Sequence, residues 1–338
     1  MRVHVVKKVN LEDASVVAWS IVKDELDLLP AFLDHHRLLG IRHFIFHDDG
    51  STDGTLEYLL EQQDCMVLKS DFKYGDPIND RRGVNLLRWA IPRLFLQGRW
   101  GFQLDVDEFA ILPMTANFNL PFFCHIMDEA HIDCCWANLV DTYPANFSDL
   151  LVPFQPASNL FALCNRFDHG PYLSLFCDSQ ESTNVFPRTI YGGVRERLFR
   201  DFGLLKSSAK PSAGVSLFAS SPRIFKVPLV KWSPDKMLVN NHVLNVRPCS
   251  HILLALLHYK FGPGLQERVE RALRWKSYFG ESTQYRAYAH ILDQVTSAPE
   301  SFTLLHQRTR SFSGALDLES CGLLFADIPA SVMRETLR

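Results

Sequence analysis

The sequence lacks the features that mark membrane-spanning and secreted proteins. The longest apolar runs, at residues 120–127 and 252–257, are short or interrupted and do not approach the ~18 consecutive apolar residues of a transmembrane helix. Residues 1–10 include basic side chains, but the apolar core of roughly 7–15 residues that follows in a signal peptide is missing. We therefore expect a cytoplasmic protein with no transmembrane segment. Peripheral association with a membrane stays an open alternative.

An excess of positive charge is also missing. The chain has 35 Lys and Arg against 38 Asp and Glu, with a net charge of -3. Nucleic acid is therefore not expected as the main partner, because its binding depends on a basic surface. The cysteines show neither CxxC spacing nor the density of a disulfide scaffold, so we expect buried free thiols in a reducing compartment. They are Cys65, Cys124, Cys134, Cys135, Cys164, Cys177, Cys249 and Cys321.

Internal repeats and a recognisable linker are absent as well. The 338 residues, 47% of them hydrophobic and 22% charged, are typical of a globular protein with one large domain or two modest ones. The simplest organisation is one domain over residues 1–290, with residues 291–338 as a C-terminal extension packed on it.

What the sequence does contain is an alternation of strand and helix patterns. Apolar, β-branched runs predict strands, and helical spacing ending at Gly40 predicts the first helix. This alternation predicts an α/β fold with a doubly wound, mostly parallel sheet flanked by helices and a C-terminal helical elaboration. The predicted strands are residues 14–22, 41–46, 66–68, 100–104, 134–140 and 225–232, and the predicted helices are residues 26–39, 55–63, 84–96, 122–130, 265–278 and 284–293.

Acidic residues follow three of the predicted strands. Lys23-Asp24-Glu25 follows the first, Asp48 and Asp49 open an acidic segment that runs to Asp53 after the second, and Asp105-Val106-Asp107-Glu108 follows the strand at 100–104. Ligands bind beyond the carboxyl ends of parallel strands, so we expect these acids to share a cleft. Asp105 and Asp107 alternate with Val106 and would face the same side. Two such carboxylates repel unless a cation lies between them, which favours Mg²⁺ or Mn²⁺ over a solvated acidic turn.

Other polar residues are candidates on weaker patterns. Arg81 and Arg82 precede a predicted helix, where backbone N–H groups and guanidinium groups can hold phosphate, although surface arginines are an equal alternative. His242 and His258 lie beside apolar residues and are candidate ligands or ordinary core histidines. Aromatic residues between 146 and 187 would suit either sugar stacking or an irregular core.

The acidic segments together resemble glycosyltransferase family 2, in particular its bacterial "glycosyl transferase family 2" domain group. The resemblance rests on Lys23-Asp24-Glu25, on residues 47–55 with the sequence HDDGSTDGT, and on residues 104–109 with the sequence LDVDEF. It continues through residues 191–199 and 257–261 and covers roughly residues 14–290. The two acidic segments in this order and spacing are specific, whereas either alone would be weak.

The resemblance implies a GT-A fold and a metal-dependent enzyme that inverts the anomeric carbon. Its donor would be a nucleotide-diphosphate sugar, its cofactor Mn²⁺ or Mg²⁺, and its acceptor an unidentified hydroxyl on a glycan, lipid or small molecule. Lys23, Glu25, Asp48, Asp49 and Asp53 would contact the nucleotide, with Arg81 and Arg82 beside it. Asp105 would contact ribose or metal, Asp107 would be the principal metal ligand, and His242 or His258 would complete the site.

The reaction implied in this way also needs a base and positive charge. Inversion requires a general base to deprotonate the acceptor hydroxyl. The candidates are Asp141 and Glu196, and Asp141 is preferred because a strand end faces the same cleft, whereas Glu196 could as well pair with Arg195 or Arg197. Arg195 and Lys260 could hold the diphosphate or the acceptor. The chain lacks an evident Gln-x-x-Arg-Trp segment, so processive polysaccharide synthesis is not expected.

Two functions of other classes remain alternatives. A nucleotidyltransferase that forms an activated sugar could use the same cleft, but the glycine-rich basic loop that such an enzyme usually carries is missing before Lys23. A nucleotide- or carbohydrate-binding module without turnover could also keep this fold. Loops 146–187 and 206–222 are the segments expected to select the acceptor.

Overall fold

The computed structural model describes residues 1–114, 119–154, 160–176, 188–205, 222–275 and 279–328. Its strands are β1 (Val3–Lys7), β2 (Val16–Val22), β3 (Phe44–Asp48), β4 (Cys65–Ser70), β5 (Pro77–Ile78), β6 (Arg81–Arg82), β7 (Trp100–Gln103), β8 (Glu108–Ile111), β9 (Cys134–Asp141), β10 (Arg166–Asp168), β11 (Leu173–Phe176), β12 (Arg188–Tyr191), β13 (Phe225–Lys231), β14 (Cys249–His258), β15 (Thr309–Ser311) and β16 (Phe325–Ala326).

The helices alternate with these strands over much of the chain. They are α1 (Leu29–Leu38), α2 (Thr55–Glu61), α3 (Gly83–Ile91), α4 (Leu120–Glu129), α5 (Ser148–Leu151), α6 (Leu160–Leu163), α7 (Gly193–Asp201), α8 (Leu265–Trp275), α9 (Phe279–Val295) and α10 (Ala315–Glu319). A π-helical turn, Pro92–Leu96, continues α3, and a 3-10 turn, Pro299–Ser301, follows α9. Within the described residues, no helix has both the length and the apolar composition needed to cross a membrane.

The central sheet has ten strands in the order β1-β4-β3-β2-β7-β13-β9-β14-β16, with β8 also paired to β14. The predicted α/β class is confirmed, and β4, β3, β2 and β7 form the expected parallel portion. The sheet is mixed, however, because β13 enters antiparallel between β7 and β9, while β9 and β14 are parallel to each other. β2 and β9 are buried almost throughout, as their apolar sequences predict.

The C-terminal extension contributes to this sheet rather than only covering it. β16 pairs with β14 in the central sheet, whereas β15 pairs with β10 in a separate two-stranded sheet. The sequence predicted no element at β10, β14, β15 or β16, and none at α10 or at the edge strand β1. The loops expected to select the acceptor fall partly on residues 155–159, 177–187 and 206–221, which lie outside the described residues.

Two apolar clusters hold the architecture together. The larger surrounds the central sheet and includes Trp19, Phe46, Phe102 and Leu256. A smaller one joins α7, α8 and α9 to the segment after β9, through Tyr143, Leu198, Val269 and Tyr288 among others. This second cluster fixes the helices that carry Arg195 and Arg268, and so it positions part of the candidate site.

Candidate functional site

The loops after β2 and β3 are braced by their own carboxylates. Asp48, whose side chain is fully buried, accepts hydrogen bonds from the backbone N–H groups of Gly50 and Ser51. Asp53 accepts from the backbone of Thr55 and of Leu26, which links the two loops. These contacts give Asp48 and Asp53 a structural role in shaping the loops.

Asp49, Glu25 and Lys23 lie at the same strand ends but are engaged differently. One oxygen of Asp49 accepts the backbone N–H of Tyr74 at 2.8 Å. Burial raises the pKa of Glu25 to about 8, and the charge of Asp107 adds to this effect. The Lys23 ammonium lies 4.7 Å from the ring centroid of Trp275, at the end of α8. Lys23 thus lies beside the ring of Trp275, and Glu25 lies close enough to Asp107 to be affected by its charge.

Asp105 and Glu108 share a buried lysine that the sequence pattern did not predict. Lys226 on β13 is completely buried and donates to both oxygens of Glu108, at 3.0 and 2.7 Å, while its Nζ lies 3.4 Å from Asp105 Oδ2. Burial lowers the pKa of Lys226, but the charges of Asp105 and Glu108 more than compensate and leave it raised. Asp105 keeps its side chain 44% exposed and lines a cavity, so a ligand can reach it.

Asp107 meets a different set of cations. Its Oδ2 lies 3.4 Å from His258 Nε2 and 3.5 Å from Lys260 Nζ, both carried by β14 and the turn that follows it. Burial raises the pKa of Asp107, yet the charges of His258 and Lys260 bring it well below its usual value. Lys260 also donates to the hydroxyl of Tyr285 at 2.8 Å. Asp107 is therefore ionised within a positively charged environment.

Asp141, at the end of β9, holds the other side of His258. His258 Nδ1 lies 2.5 Å from Asp141 Oδ1 and 2.8 Å from Arg195 Nη2, and Arg195 forms a two-pronged ion pair with Asp141. This packing follows from the register of the parallel pair β14–β9, which sets His258 opposite Asp141. Burial raises the pKa of Asp141, but Arg195 and His258 hold it below its ordinary value. The geometry makes Asp141 a positioning residue for His258 and Arg195.

The fit of these residues to a divalent cation can be judged from the pair Asp107 and His258. Two ligands of one Mg²⁺ or Mn²⁺ lie about 3 Å apart, close to the 3.4 Å between Asp107 Oδ2 and His258 Nε2. The other ring nitrogen of His258, Nδ1, is hydrogen-bonded to the carboxylate of Asp141. Metal-bound histidines usually have such a carboxylate on the nitrogen that does not face the metal. Among the described residues, no three His, Cys, Asp or Glu side chains are grouped as a metal site. A divalent cation here would therefore have two protein ligands, would replace the proton between His258 Nε2 and Asp107, and would be completed by substrate oxygens and water.

His242, the other histidine candidate, lies away from this pair. Its Nδ1 is hydrogen-bonded to the carbonyl of Phe225 at 2.6 Å, and burial lowers its pKa to about 4. It lines the cavity near Asp105 and Lys226 rather than near Asp107. The structure therefore brings His258, and not His242, to the principal metal-ligand candidate.

Glu196 occupies the first turn of α7, behind the glycine pair Gly192 and Gly193. Its Oε1 pairs with Arg200, four residues later, and its Oε2 is buried without a hydrogen-bond partner. Its side chain is 15% exposed and lines the cavity. Of the two predicted base candidates, Glu196 is thus the one that borders the cavity with an oxygen free of hydrogen bonds, although that oxygen, Oε2, is itself buried.

These elements surround a cavity of about 1660 Å³. Arg81 and Arg82 reach it from the short hairpin of β5 and β6, and Arg82 also lies 5.8 Å from the ring of Tyr74. The described lining is more basic than acidic, although the chain as a whole is acidic. The charged lining residues are Arg81, Arg82, Arg88, Arg195, Arg197, Arg200, Arg223, Lys260, Arg308, Asp80, Asp105, Glu108, Asp168, Glu196 and Asp201.

Several residues of the site were missed by sequence patterns. Arg268 on α8 donates to the carbonyls of Lys260, Gly262 and Pro263, and its charge acts on Asp107. Lys226 and Arg88 lie in apolar stretches whose sequence pattern is typical of a buried strand and a buried helix face. The one available signal was the presence of isolated basic residues within buried strand and helix patterns. No family model matches the chain, and a search of curated proteins found no match.

Proposed function

We propose that this chain is a metal-dependent, inverting glycosyltransferase of GT-A type, which moves a sugar from a nucleotide-diphosphate donor to a hydroxyl acceptor. The observation that carries the proposal is the grouping of Asp107, His258 and Lys260 at the carboxyl ends of the sheet, beside a large cavity lined mainly by basic residues. An acid that can hold a metal and cations that can hold phosphate are the two requirements of diphosphate binding.

The diphosphate is assigned to the cations around Asp107. Lys260, Arg195 and Arg268 come from three different elements, and each acts on the same acid or on its partner His258. When bound at Asp107 and His258, a divalent cation would neutralise charge on the leaving diphosphate. The fixed ammonium and guanidinium groups stabilise the same charge without any rearrangement.

The nucleoside is assigned to the ends of β2 and β3. Glu25, Asp49 and Lys23 supply polar groups there, and Arg81 and Arg82 border the cavity on the neighbouring hairpin. Asp48 and Asp53 serve the nucleoside indirectly, because their carboxylates hold the loops in place. Asp105, which is open to the cavity, is assigned to hydroxyl groups of the ribose or of the sugar.

Glu196 is the proposed general base. An inverting transfer needs a carboxylate that accepts the acceptor's proton on the face opposite the leaving group. Glu196 has an unengaged oxygen and borders the cavity, whereas both oxygens of Asp141 are occupied by Arg195 and His258. The ion pair with Arg200 orients the Glu196 side chain.

The first test measures binding. The protein is titrated with UDP, GDP, ADP, CDP and dTDP, each with Mn²⁺ or with EDTA, and its melting temperature is followed, since ligands that bind the folded state raise it. We expect one nucleoside diphosphate to raise the melting temperature only with Mn²⁺. Asp107→Asn should abolish that shift, measured from the variant's own melting temperature without ligand, whereas Asp293→Asn, an exposed site on α9, should behave as the parent.

The proposal fails if Asp107→Asn binds nucleotide and Mn²⁺ as the parent does. A second candidate is a binding module without turnover, which is favoured by the lysines that already neutralise Asp105 and Asp107. Release of nucleoside diphosphate from the matching nucleotide sugar, with Mn²⁺ and a mixture of hydroxyl acceptors, separates the two. Release of pyrophosphate from a nucleoside triphosphate and a sugar phosphate would instead indicate a nucleotidyltransferase.

A further inference from the structure

His242 lies in a short turn whose backbone is held by its own hydrogen bonds. The backbone N–H of Val239 donates to the carbonyl of Val243 at 2.8 Å. The backbone N–H of His242 donates to the side-chain oxygen of Asn240 at 2.7 Å. Asn240, Asn241 and His242 all line the cavity. The turn therefore presents these polar side chains to a ligand on a fixed backbone.

The ring of His242 is fixed in one tautomer. Its Nδ1 lies 2.6 Å from the carbonyl oxygen of Phe225, which can only accept, so Nδ1 carries the proton. Burial lowers the pKa of the ring to about 4, and the other nitrogen, Nε2, is therefore an acceptor near neutral pH. Nε2 has no hydrogen-bond partner within the described part of the chain and is not fully buried. It is thus open to a ligand in the cavity.

Asp105 supplies a second acceptor beside this ring. Its Oδ2 lies 3.4 Å from Lys226 Nζ and 3.4 Å from the amide nitrogen of Asn241. Asn241 is held in turn by Gln103, whose Nε2 donates to its side-chain oxygen at 2.8 Å. The other oxygen of Asp105, Oδ1, has no such contact among the described residues, and the side chain is 44% exposed. Asn241 precedes His242 in the chain, so the two acceptors are neighbours, and the charge of Asp105 acts on His242.

Two fixed acceptors determine which groups of a ligand fit beside them. Hydroxyl groups can donate to both, whereas the oxygens of phosphates, carboxylates and carbonyls present only lone pairs. The charged groups here are two carboxylates and two cations, namely Asp105, Glu108, Lys226 and Arg88. Because these charges balance, there is no local excess of positive charge to favour an anion. Water can hydrate both acceptors, so the arrangement determines what kind of group replaces it.

The strand order places this pair of acceptors away from the nucleoside. The nucleoside is assigned to the ends of β2 and β3, and β7, which leads to Asp105, lies between β2 and β13. Phe225, the partner of His242, begins β13, and the antiparallel pairing brings this end of β13 to the end of β7. Hydroxyl groups at His242 and Asp105 therefore belong to the part of the donor beyond the nucleoside, which is the transferred sugar.

We propose that His242 Nε2 and Asp105 Oδ1 accept hydrogen bonds from two adjacent hydroxyl groups of the transferred sugar, so that the donor carries a neutral sugar with an unmodified vicinal diol. Sugar rings carry hydroxyl groups on neighbouring carbons, and each hydroxyl has one proton to donate. His242 is thereby a specificity-determining residue rather than a metal ligand. This inference rests on the proposed function and specifies its donor.

The test replaces each sugar hydroxyl in turn by fluorine, which has no proton to donate. For the base identified in the panel, the tightest-binding of the glucose, galactose and mannose derivatives is compared with its analogues fluorinated at carbon 2, 3, 4 or 6, by calorimetry with Mn²⁺. We expect losses of affinity at two adjacent positions, about 3- to 10-fold at the neutral His242 and about 10- to 100-fold at the carboxylate of Asp105. The other positions should stay within about twofold.

Variants of His242 assign the smaller of the two losses. His242→Phe keeps a ring and removes both nitrogens, so this loss should disappear, while the free nucleoside diphosphate should bind within about twofold of the parent. His242→Gln keeps a hydrogen-bonding group and should keep part of the discrimination, which covers the case that His242→Phe does not fold. His125→Phe, at an exposed site on α4, should bind every analogue as the parent does.

The inference is overturned if the parent is insensitive to every fluorine substitution, or if both losses persist unchanged in His242→Phe. Equal weakening of the nucleotide sugar and the free nucleoside diphosphate in that variant would place His242 at the nucleotide or the metal, and would also overturn it. In these cases binding of the free nucleoside diphosphate with Mn²⁺ leaves the transferase proposal intact. A parent that binds no nucleotide and no nucleotide sugar refutes both.

Discussion

At the scale of single residues, Lys226 is the side chain on which the acidic segment depends most. Replacing it in Lys226→Met leaves Glu108 and Asp105 without their shared cation, and breaking a buried pair in this way lowers the free energy of unfolding by about 3–5 kcal/mol. Lys231→Met on the same strand is the matched control, because the ion pair of Lys231 with Asp128 is 40% and 33% exposed. Urea unfolding of both variants measures the difference.

The double variant Lys226→Met/Glu108→Gln separates loss of charge balance from loss of packing. Glu108 is buried, and removing its charge should recover part of the stability lost in Lys226→Met. Equal stabilities of the parent and Lys226→Met would show that the buried pair contributes nothing measurable. No recovery in the double variant would instead indicate that the lysine acts through its packing.

The acids of the site could be predicted from the sequence, but their cationic partners could not. Asp105 and Asp107 follow an apolar run, and a strand that ends in carboxylates is a local pattern. Lys226 reaches Asp105 only because β13 enters the sheet next to β7, and nothing within residues 225–231 indicates that neighbour. The choice of His258 over His242 likewise depends on the register of β14 with β9.

At the scale of elements, strand β7, which leads directly into the acidic segment, is tightly packed. Gly101 lies in the middle of this strand, and a Cβ there would come within 2.5 Å of Trp232 Nε1 and 2.8 Å of Leu96 Cδ1. Both edges of β7 are paired, to β2 and β13, so the strand cannot shift to relieve the contact. Trp232 is buried, with its indole ring against the glycine.

Gly101→Ala should therefore destabilise the protein by about 1–3 kcal/mol, the usual effect of overpacking a core. Because Asp105 and Asp107 follow within six residues of the strained position, Mn²⁺-dependent nucleotide binding should weaken as well. Gly314→Ala, at a site with open space around it, should have a smaller effect on unfolding and none on binding. Parent-like stability of Gly101→Ala would mean that Trp232 moves freely.

The parallel strands β2, β3 and β4 were easier to predict than helix α7. Strands β2, β3 and β4 alternate with helices close in sequence, so their order follows from local patterns and short connections. Helix α7 was not predicted, because the glycine pair and the alternating charges obscured the helical spacing of its buried apolar residues Val194, Leu198 and Phe199. Its arginines diverge in the structure, with Arg195 bound to Asp141 and Arg197 to Asp168. Those contacts join distant segments, which a local pattern does not report.

At the scale of the whole molecule, charge is unevenly distributed. The chain carries a net charge of -3, yet the described residues around the cavity include more arginine and lysine than aspartate and glutamate. A cavity of this sign attracts anions and raises their local concentration. The same crowding of charge shifts several pKa values, so the stability of the fold is tied to pH.

The expected pH dependence follows from the sign of these shifts. Burial raises the pKa of Glu25 to about 8 and that of Glu108 to about 7. Between its unfolded and folded pKa values, such a carboxyl binds a proton in the folded protein but not in the unfolded chain, so stability falls as pH rises. His258 acts in the same direction: burial lowers its pKa, but the charge of Asp107 more than compensates and leaves it raised.

At acid pH the lowered pKa values act in the opposite sense. Protonation of Asp107 and Asp141 removes their pairing as pH falls through the pKa that each has in the folded protein, below the usual value of 3.8. With EDTA present, the melting temperature should therefore be highest near about pH 5 and decline toward about pH 8. Calorimetric or fluorescence scans across this range measure the curve.

Glu25→Gln tests which group produces the decline. The variant has no titrating carboxyl at this position, so its melting temperature should fall less steeply between about pH 5 and about pH 8 than that of the parent. Glu129→Gln, at an exposed site at the end of α4, should keep the parent's curve. A parent whose melting temperature rises over this range, or a Glu25→Gln curve parallel to the parent's, would contradict the assignment of Glu25 as a carboxyl that the fold keeps protonated near neutral pH. If the decline is confirmed, bound nucleotide with Mn²⁺ should change its slope, because the ligand brings new charge to the groups around Asp107.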